Sequence, residues 1–434
     1  MESHPRPRAF SLAGGVFAGL ALAFAPPAIA MDEVASSPGE ESGGRKRWLA
    51  RGIDIQLSHT NEAAANIRGG ERKLLRQAGQ LTLGAALDLE RLWGWQGAAI
   101  RFTVTGRHGE DLTTDAGLGS LQQVQEVYGR NQTWRLTQLW YSQALFDGRA
   151  DLKLGRVTVG EDFAAFSCDF MNLTFCGSQP GNLVGHYWYS WPVSQWGAVV
   201  KGTGSATTYL KLGAYQVNPS YLRTRNAIKL NNPPGTTGVL LPLEFGWTPT
   251  LTDSIDGSYK VGLWYDTSRY PDVYTDTSGG SAARSGLPFA QRRGAHGVYF
   301  NAEQQLTTGD RATARSGLRI FLNATQADRA TSITDRQVAL GLTYTGPFAS
   351  RRRDDIALGV GMTHVNGRVA RFRRDHAASP SIAWGNEYAA ELHYTWRTRR
   401  GMTLRPAIQF IRHPGGSRSR SDVTVIGLQT STAI

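Results

Sequence analysis

Runs in which apolar and polar side chains strictly alternate recur along the whole of this chain. In residues 100–107, Ile100, Phe102 and Val104 share one parity, and polar side chains take the positions between them. Alternation sustained over roughly eight residues predicts a β-strand, because successive side chains of a strand point to opposite faces. Turn-forming dipeptides such as Asp147-Gly148 separate the runs. The chain is therefore predicted to be all-β, with strands joined by turns.

The polar parity of these strands distinguishes a membrane barrel from a soluble β-sandwich, which would also alternate. It carries charge on strand after strand, too much for a packed core between two sheets. The mean hydropathy of −0.32 does not oppose a barrel, since lipid-facing and water-facing residues average out. Aromatic residues near strand ends are typical of girdles at membrane interfaces. They are Trp93, Trp95, Trp140, Tyr141, Tyr394 and Trp396.

Closure follows from the lack of water in lipid. Every backbone polar group there must be paired, and a sheet achieves this only by closing on itself. We therefore expect a transmembrane antiparallel β-barrel of about sixteen strands, the size that leaves an aqueous channel. Residues 48–434 would form this single domain. The further alternating segments are 80–90, 338–344, 356–362, 388–396 and 402–410.

The N-terminus predicts export. Residues 1–30 combine basic Arg6 and Arg8, an apolar stretch over 10–25 and an Ala28-Ile29-Ala30 cleavage site, as in a secretory signal peptide. A membrane anchor is the alternative, and the prolines at 26 and 27 weaken it. Residues 31–47, rich in Ser, Gly and Glu, are predicted to be a flexible leader.

The formal charge of +12 raises the question of nucleic acid as a partner. Nucleic-acid binding would cluster the basic residues on one element. Here they recur singly on the polar faces of strands, as at Arg101, Arg319 and Arg405, apart from one run at residues 351–353. This scatter favours a basic channel lining over a nucleic-acid surface. Such a lining would favour neutral or anionic solutes.

The segment from Leu154 to Lys201 stops alternating after its opening strand. It holds both cysteines of the chain, Cys168 and Cys176, and an aromatic run from Tyr187 to Trp196. In an exported chain, two cysteines favour a disulfide over a metal pair or a catalytic thiol. A long loop closed in this way and rich in indole rings is expected to fold into the channel. Aromatic faces beside polar groups also suit a sugar ring.

Several long strings in this chain resemble the carbohydrate-selective outer-membrane porins of the OprB family. They are GRVTVGEDF at 155–163, CDFMNLTFCGSQ at 168–179, SWPVSQWG at 190–197, the segment 124–141, GNEYAAELHYTW at 385–396 and RPAIQFIRHPGG at 405–416. The resemblance implies a sixteen-stranded barrel in the bacterial outer membrane, narrowed by inward-folded loops. It implies passive diffusion of glucose and similar monosaccharides into the periplasm. It also implies that Arg107, Glu126 and Trp191 contact the sugar at the constriction.

The chemistry of these three residues agrees with such a role. Arg107 lies on the polar parity of its strand and supplies donors, Glu126 supplies acceptors, and Trp191 offers a flat apolar face. The ordinary alternatives are a generic channel charge, its ion-pair partner and a packing residue. Arg130 and Arg135 are further candidates for the channel wall, although their parity is unclear after Gly129.

Glu161 and Asp162 admit two interpretations. They are able to bind Ca²⁺, but we favour hydrogen bonds and ion pairs that hold the loop to the barrel wall. No cofactor or metal is predicted. The alternative function is a general or anion-preferring porin. An enzyme is not expected, because the chain contains neither a G-x-S-x-G nor an H-E-x-x-H motif and its nine histidines are scattered.

The expected partners are a sugar, outer-membrane lipids and lipopolysaccharide, without nucleic acid. A monomer and a homotrimer both stay open. The chain departs from the family pattern in a short segment between Arg107 and Glu126. It also departs at its last residue, Ile434, where outer-membrane barrels usually end on an aromatic residue.

Overall fold

The computed structural model describes residues 43–252, 255–308, 316–376, 384–398 and 401–433. Over these residues a 17-stranded antiparallel sheet closes on itself, because the last strand pairs with the first. One strand, of three residues, is a short addition to a turn, so sixteen long strands form the wall. The predicted closed barrel is confirmed. The predicted signal peptide, residues 1–30, lies outside the described residues.

The strands follow one another around the wall in chain order, with β9 set beside β10. They are β1 (Ile53–Arg68), β2 (Leu75–Asp88), β3 (Ala98–Gly109), β4 (Trp134–Leu145), β5 (Ala150–Val157), β6 (Gln195–Ser205), β7 (Thr208–Val217), β8 (Gly238–Trp247), β9 (Thr250–Thr252), β10 (Ile255–Asp276), β11 (Phe289–Gln305), β12 (Gly317–Ala327), β13 (Thr334–Thr345), β14 (Asp355–Val365), β15 (Asn386–Arg397), β16 (Met402–Arg412) and β17 (Val423–Ala433).

Helices are short and lie in the connections. They are α1 (Gly43–Ala50), α2 (Leu89–Trp93), α3 (Leu112–Asp115), α4 (Val159–Asp162), α5 (Gln179–Val184), α6 (Ala282–Ser285) and α7 (Gly367–His376). Helix α1 begins inside the predicted leader, so Gly43–Arg47 is helical. None of the helices in the described part of the chain is both long and apolar enough to cross a membrane.

The alternation of the sequence corresponds to the two faces of the wall. On β15 the outward Leu392 is 47% exposed, whereas its neighbour Glu391 is fully buried toward the interior. Two residues depart from this pattern. Trp140, expected in an interface girdle, is only 9% exposed and packs in a buried cluster with Val157 and Phe163. Leu89, on the apolar parity of the alternating run 80–90, is fully buried. The Asp88 side chain accepts hydrogen bonds from the backbone of Glu90 and Arg91 and so caps α2, which ends the strand at Asp88, two residues before the end of the alternating run.

The two ends of the barrel differ in the length of their connections. Residues 146–149 and 206–207 form tight turns at the end where β1 begins and β17 finishes. At the opposite end, β3–β4 and β5–β6 are joined by the long segments 110–133 and 158–194. Outer-membrane barrels place short turns in the periplasm and long loops outside. We therefore assign the long loops to the extracellular end.

Candidate functional site

A cavity of about 1430 Å³ occupies the barrel interior. It is lined by the inner faces of strands around the wall and by segments 121–130 and 160–191 of the two long loops. Eight arginine and lysine side chains and six aspartate and glutamate side chains line it. The lining is therefore mixed in charge with a small positive excess, in the direction that the sequence predicted.

The loop 158–194 is fastened to the wall beside which it starts. Glu161 accepts a hydrogen bond from Gln138 Nε2 at 2.7 Å, and Asp162 accepts one from the Tyr215 hydroxyl at 2.9 Å. Asp162 also forms an ion pair with Lys153. These contacts agree with the predicted fastening of the loop. Burial raises the pKa of Glu161 to about 7, while its hydrogen bond with the Thr158 hydroxyl opposes the shift.

The same loop crosses the lumen and docks on the opposite wall. The carboxylate of Glu391, on β15, accepts the backbone N–H groups of Met171 and Asn172 at 3.0 and 2.7 Å. A buried aromatic cluster joins Phe170 and Phe175 of the loop to Phe321 of β12. A glycine in the wall makes room for the loop, since a Cβ on Gly361 would lie 2.6 Å from Thr174 Cγ2.

Cys168 and Cys176 form the disulfide that the sequence predicted. The bond closes the tip of the loop around the Leu173–Phe175 3₁₀ turn. Both sulfur atoms lie near Glu126 and would resemble a metal site, but sulfurs shared in a disulfide are not thiolate ligands. Glu126 and the two cysteines therefore do not form a metal site. The disulfide lies on the cavity lining, where the loop narrows the channel.

The aromatic run of the loop divides between packing and lining. Tyr187, Trp188 and Tyr189 are fully buried. Trp188 stacks edge-to-face on Trp264 of β10, which fixes the base of the loop. Trp191 alone of the run lines the cavity. Of these rings, the structure leaves only Trp191, the one named from the sequence, at the cavity surface.

Arg107 and Trp191 meet on a single acceptor, the side-chain oxygen of Gln80. Arg107 Nε donates to Gln80 Oε1 at 2.8 Å, and Trp191 Nε1 donates to the same atom at 3.2 Å. Register explains the first contact, since Gln80 on β2 lies directly opposite Arg107 on β3. Arg107 Nη1 also donates to the Tyr128 carbonyl at 3.3 Å. The strand and both loops are thereby tied together at this point.

Glu126 completes the cluster from the loop 110–133. Its Oε2 lies 4.0 Å from Arg107 Nη2, and its side chain is 15% exposed. The Glu126 backbone N–H donates to the Met171 carbonyl, so the two loops support each other. Burial raises the pKa of Glu126, and the charge of Arg107 opposes this shift. The three residues predicted from the sequence therefore lie together on the channel lining.

The two further candidates for the channel wall, Arg130 and Arg135, lie in different environments. Arg130 lines the cavity. Arg135 is buried, and its guanidinium donates hydrogen bonds to the carbonyls of Arg130, Tyr221 and Leu222. Sequence reasoning missed Gln80 and the anchor Glu391. Their polar parity was visible, but the register and the crossing of the loop were not.

Comparisons with known proteins agree with this geometry. The family model described as "Carbohydrate-selective porin, OprB family" matches residues 72–433. Porin B of Pseudomonas aeruginosa is 41% identical over 411 residues, which cover 91% of this chain and 90% of that protein. The high-pH structure of Pseudomonas putida OprB is 38% identical, with a TM-score of 0.87, over 91% of this chain and 97% of that one. The low-pH structure gives 27% identity and a TM-score of 0.57 over 92% and 97%.

Proposed function

The chain belongs to the OprB family of carbohydrate-selective porins, and we propose that it binds monosaccharides such as glucose at Arg107, Glu126 and Trp191 as they pass. It is a sugar-selective porin of the bacterial outer membrane and not an enzyme. What remains to be tested is which sugar it prefers and which side chains confer the selectivity. The oxygen of Gln80, shared by Arg107 and Trp191, carries the proposal.

That shared contact holds three kinds of sugar-binding group side by side. A guanidinium and a carboxylate supply donors and acceptors, so together they are able to bridge adjacent hydroxyl groups of a sugar. The indole of Trp191 offers an apolar face for the C–H side of a pyranose. Gln80 orients Arg107 from the second strand without occupying its Nη2 atom.

The expected affinity suits passive transport. Each hydrogen bond to a charged group contributes about 1.5–3 kcal/mol net, and a ring contact contributes about 1 kcal/mol. Two such hydrogen bonds at the lower end of that range and one ring contact give a total of about 4 kcal/mol, which corresponds to a Kd of about 1 mM. Such a site raises the occupancy of the channel and still releases the sugar quickly, without any energy input.

Sugar titration of ion current in planar bilayers tests the proposal. We expect Arg107→Gln and Trp191→Ala to weaken block of the current by glucose about tenfold, the effect of losing about 1.4 kcal/mol. Trp191→Phe should retain part of the block, because the ring persists while the donor to Gln80 is lost.

Arg319→Gln is the matched control, since it removes a lumen arginine whose closest carboxylate is Glu303 at 4.0 Å. It should change ion selectivity like Arg107→Gln and leave sugar block intact. Unchanged block in both Arg107→Gln and Trp191→Ala would refute the site. If glucose never competes with ion current while anions do, the general or anion-preferring porin is the better assignment, consistent with the excess of basic lining groups.

The partners beyond the sugar also belong to this proposal. We infer that the outward stripes of the strands contact outer-membrane lipids, with lipopolysaccharide at the extracellular end. The monomer and homotrimer expectations are separated by light scattering of the detergent-solubilised protein.

A further inference from the structure

The outward face of β10 and β11 changes from apolar to basic at its extracellular end. Val261, Leu263 and Tyr265 are exposed along β10, as expected of a lipid-facing stripe. Tyr265 lies opposite His296 on β11, and the next outward pair beyond the intervening bulge is Arg269 opposite Arg293. The apolar band is thus followed directly by two arginines.

Residues directly opposite in an antiparallel pair share one face, and like charges there are destabilising. Arg269 and Arg293 are both exposed. Neither guanidinium has a hydrogen-bond or ion-pair partner within the described ranges. The adjacent Arg292 differs, because its Nε reaches Asp272 at 2.8 Å. Two cations opposed without a carboxylate between them form a site to which an anion would bind.

The same transition occurs on the neighbouring strands. On β13, the outward series from Tyr344 to Val338 ends in exposed Arg336. The turn before β13 carries Arg329, whose side chain is 62% exposed. This turn lies against β11, since the Asp328 N–H donates to the His296 carbonyl at 2.8 Å. We call Arg269, Arg293, Arg329 and Arg336 the arginine patch.

Two carboxylates at this height are turned away from the outer surface. Asp335 is buried and contacts Arg329 Nε at 3.1 Å and His364 Nδ1 at 2.6 Å. Asp272 is buried and pairs with Arg292 and Arg368. The opposite end of this wall is aromatic on its outer face, with Tyr344, Phe348 and Trp396 exposed. The extracellular end of this outer face therefore carries arginines next to the apolar band, where the other end carries aromatic rings at that height.

We propose that the arginine patch binds the phosphate groups of lipopolysaccharide at the outer surface of the membrane. Arginine presents a planar fork of donors that matches phosphate oxygens two at a time. The apolar band directly below provides the surface on which the acyl chains of the same molecule lie. A lipid fits better than a free phosphate, because it satisfies both features at once.

Binding of fluorescent lipopolysaccharide to the full mature protein in lipopolysaccharide-free detergent tests the proposal. Each basic residue at an anionic membrane surface contributes roughly fivefold, so Arg269→Gln with Arg293→Gln should raise Kd about 30-fold. Arg149→Gln with Arg353→Gln, at exposed positions in periplasmic turns, is the matched control and should leave Kd unchanged.

Three further measurements make the result decisive. Arg293→Glu should abolish tight binding. The new carboxylate would pair with Arg269 across the strands and support the fold, so loss of binding in this variant would not be due to misfolding. Removing the phosphates from the lipid should weaken binding to wild type at least as much as the double substitution does, because Arg329 and Arg336 lose their phosphate contacts as well. Sugar block should stay intact in every variant, which separates this proposal from the constriction site.

Equal Kd for wild type and Arg269→Gln/Arg293→Gln would overturn the proposal, as would an equal loss in the periplasmic control pair. Tight binding of the dephosphorylated lipid would overturn it as well. Full competition by inorganic phosphate at equal concentration would show instead a site for small anions.

Discussion

Replacing Glu391 by glutamine should loosen the loop that narrows the channel. The Glu391 carboxylate is fully buried and accepts two backbone N–H groups of that loop, from Met171 and Asn172. An amide retains one acceptor oxygen and turns an NH₂ group toward the second N–H. One buried donor is then left without an acceptor, which costs about 1–3 kcal/mol.

That cost converts directly into a measurable opening. A loss of about 1–3 kcal/mol raises the population of the undocked loop about 5- to 150-fold. The barrel should persist, because its inter-strand hydrogen bonds are untouched. Hydrogen exchange of a peptide covering residues 166–176 should accelerate by the same factor when opening is local. Single-channel current should become noisier, and sugar block should weaken because Trp191 lies on the same loop.

Glu303→Gln provides the matched control. It also neutralises a lumen carboxylate, but Glu303 pairs with Arg319 of the wall and not with the loop. The reasoning is refuted if exchange in 166–176 is unchanged by Glu391→Gln, or accelerates as much in Glu303→Gln. A global acceleration across the barrel strands would mean that Glu391 supports the wall and not the docking of the loop.

Three further perturbations act on the same loop. Cys168→Ser with Cys176→Ser should accelerate exchange in 168–176 and raise single-channel conductance; unchanged values would show that packing alone closes the tip. Gly361→Val should displace the Leu173–Phe175 turn and so weaken sugar block, because the added Cβ would meet Thr174 Cγ2 at 2.6 Å. Gly202→Val is the control, since open space surrounds that glycine. Equal sugar block in the two variants would contradict this prediction. Burial raises the pKa of Glu161 to about 7, well above its usual 4.5, so the protonated form favours the docked loop. Docking should be strongest below about pH 4.5 and weaken as the pH rises toward 7. The pH dependence of hydrogen exchange in residues 158–166 should vanish in Glu161→Gln. A pH dependence that persists in this variant would have to come from another group.

The wall could be predicted from sequence because its signal is local. Alternation on β15 and β16 places Leu392 outside and Glu391 inside without knowledge of any other strand. The parity argument for Arg107 succeeds for the same reason. Leu89 fails because a local competitor, the Asp88 cap, ends the strand and begins a helix.

The site could be predicted only in part, because it depends on contacts between distant segments. Gln80 comes to hold Arg107 through a register that places the two residues opposite each other. Glu391 becomes a loop anchor because residues 158–194 cross the lumen. Neither register nor crossing leaves a trace in the spacing of residues along the chain. Similar rings at 187–191 likewise divide into buried and lining positions only after the loop is folded.

Selectivity in such a channel requires a rigid site with weak affinity, and the contacts around the proposed sugar site would meet both needs. Gln80 holds both the arginine and the indole, and the Tyr128 carbonyl holds the arginine as well. Glu391 anchors the backbone of the loop that carries the indole. Little side-chain entropy is then lost when a sugar arrives, so few direct contacts suffice for discrimination. Because those contacts are few, the sugar leaves as readily as it enters. Substitutions in the supporting residues should therefore degrade discrimination between sugars more than they change ion conductance.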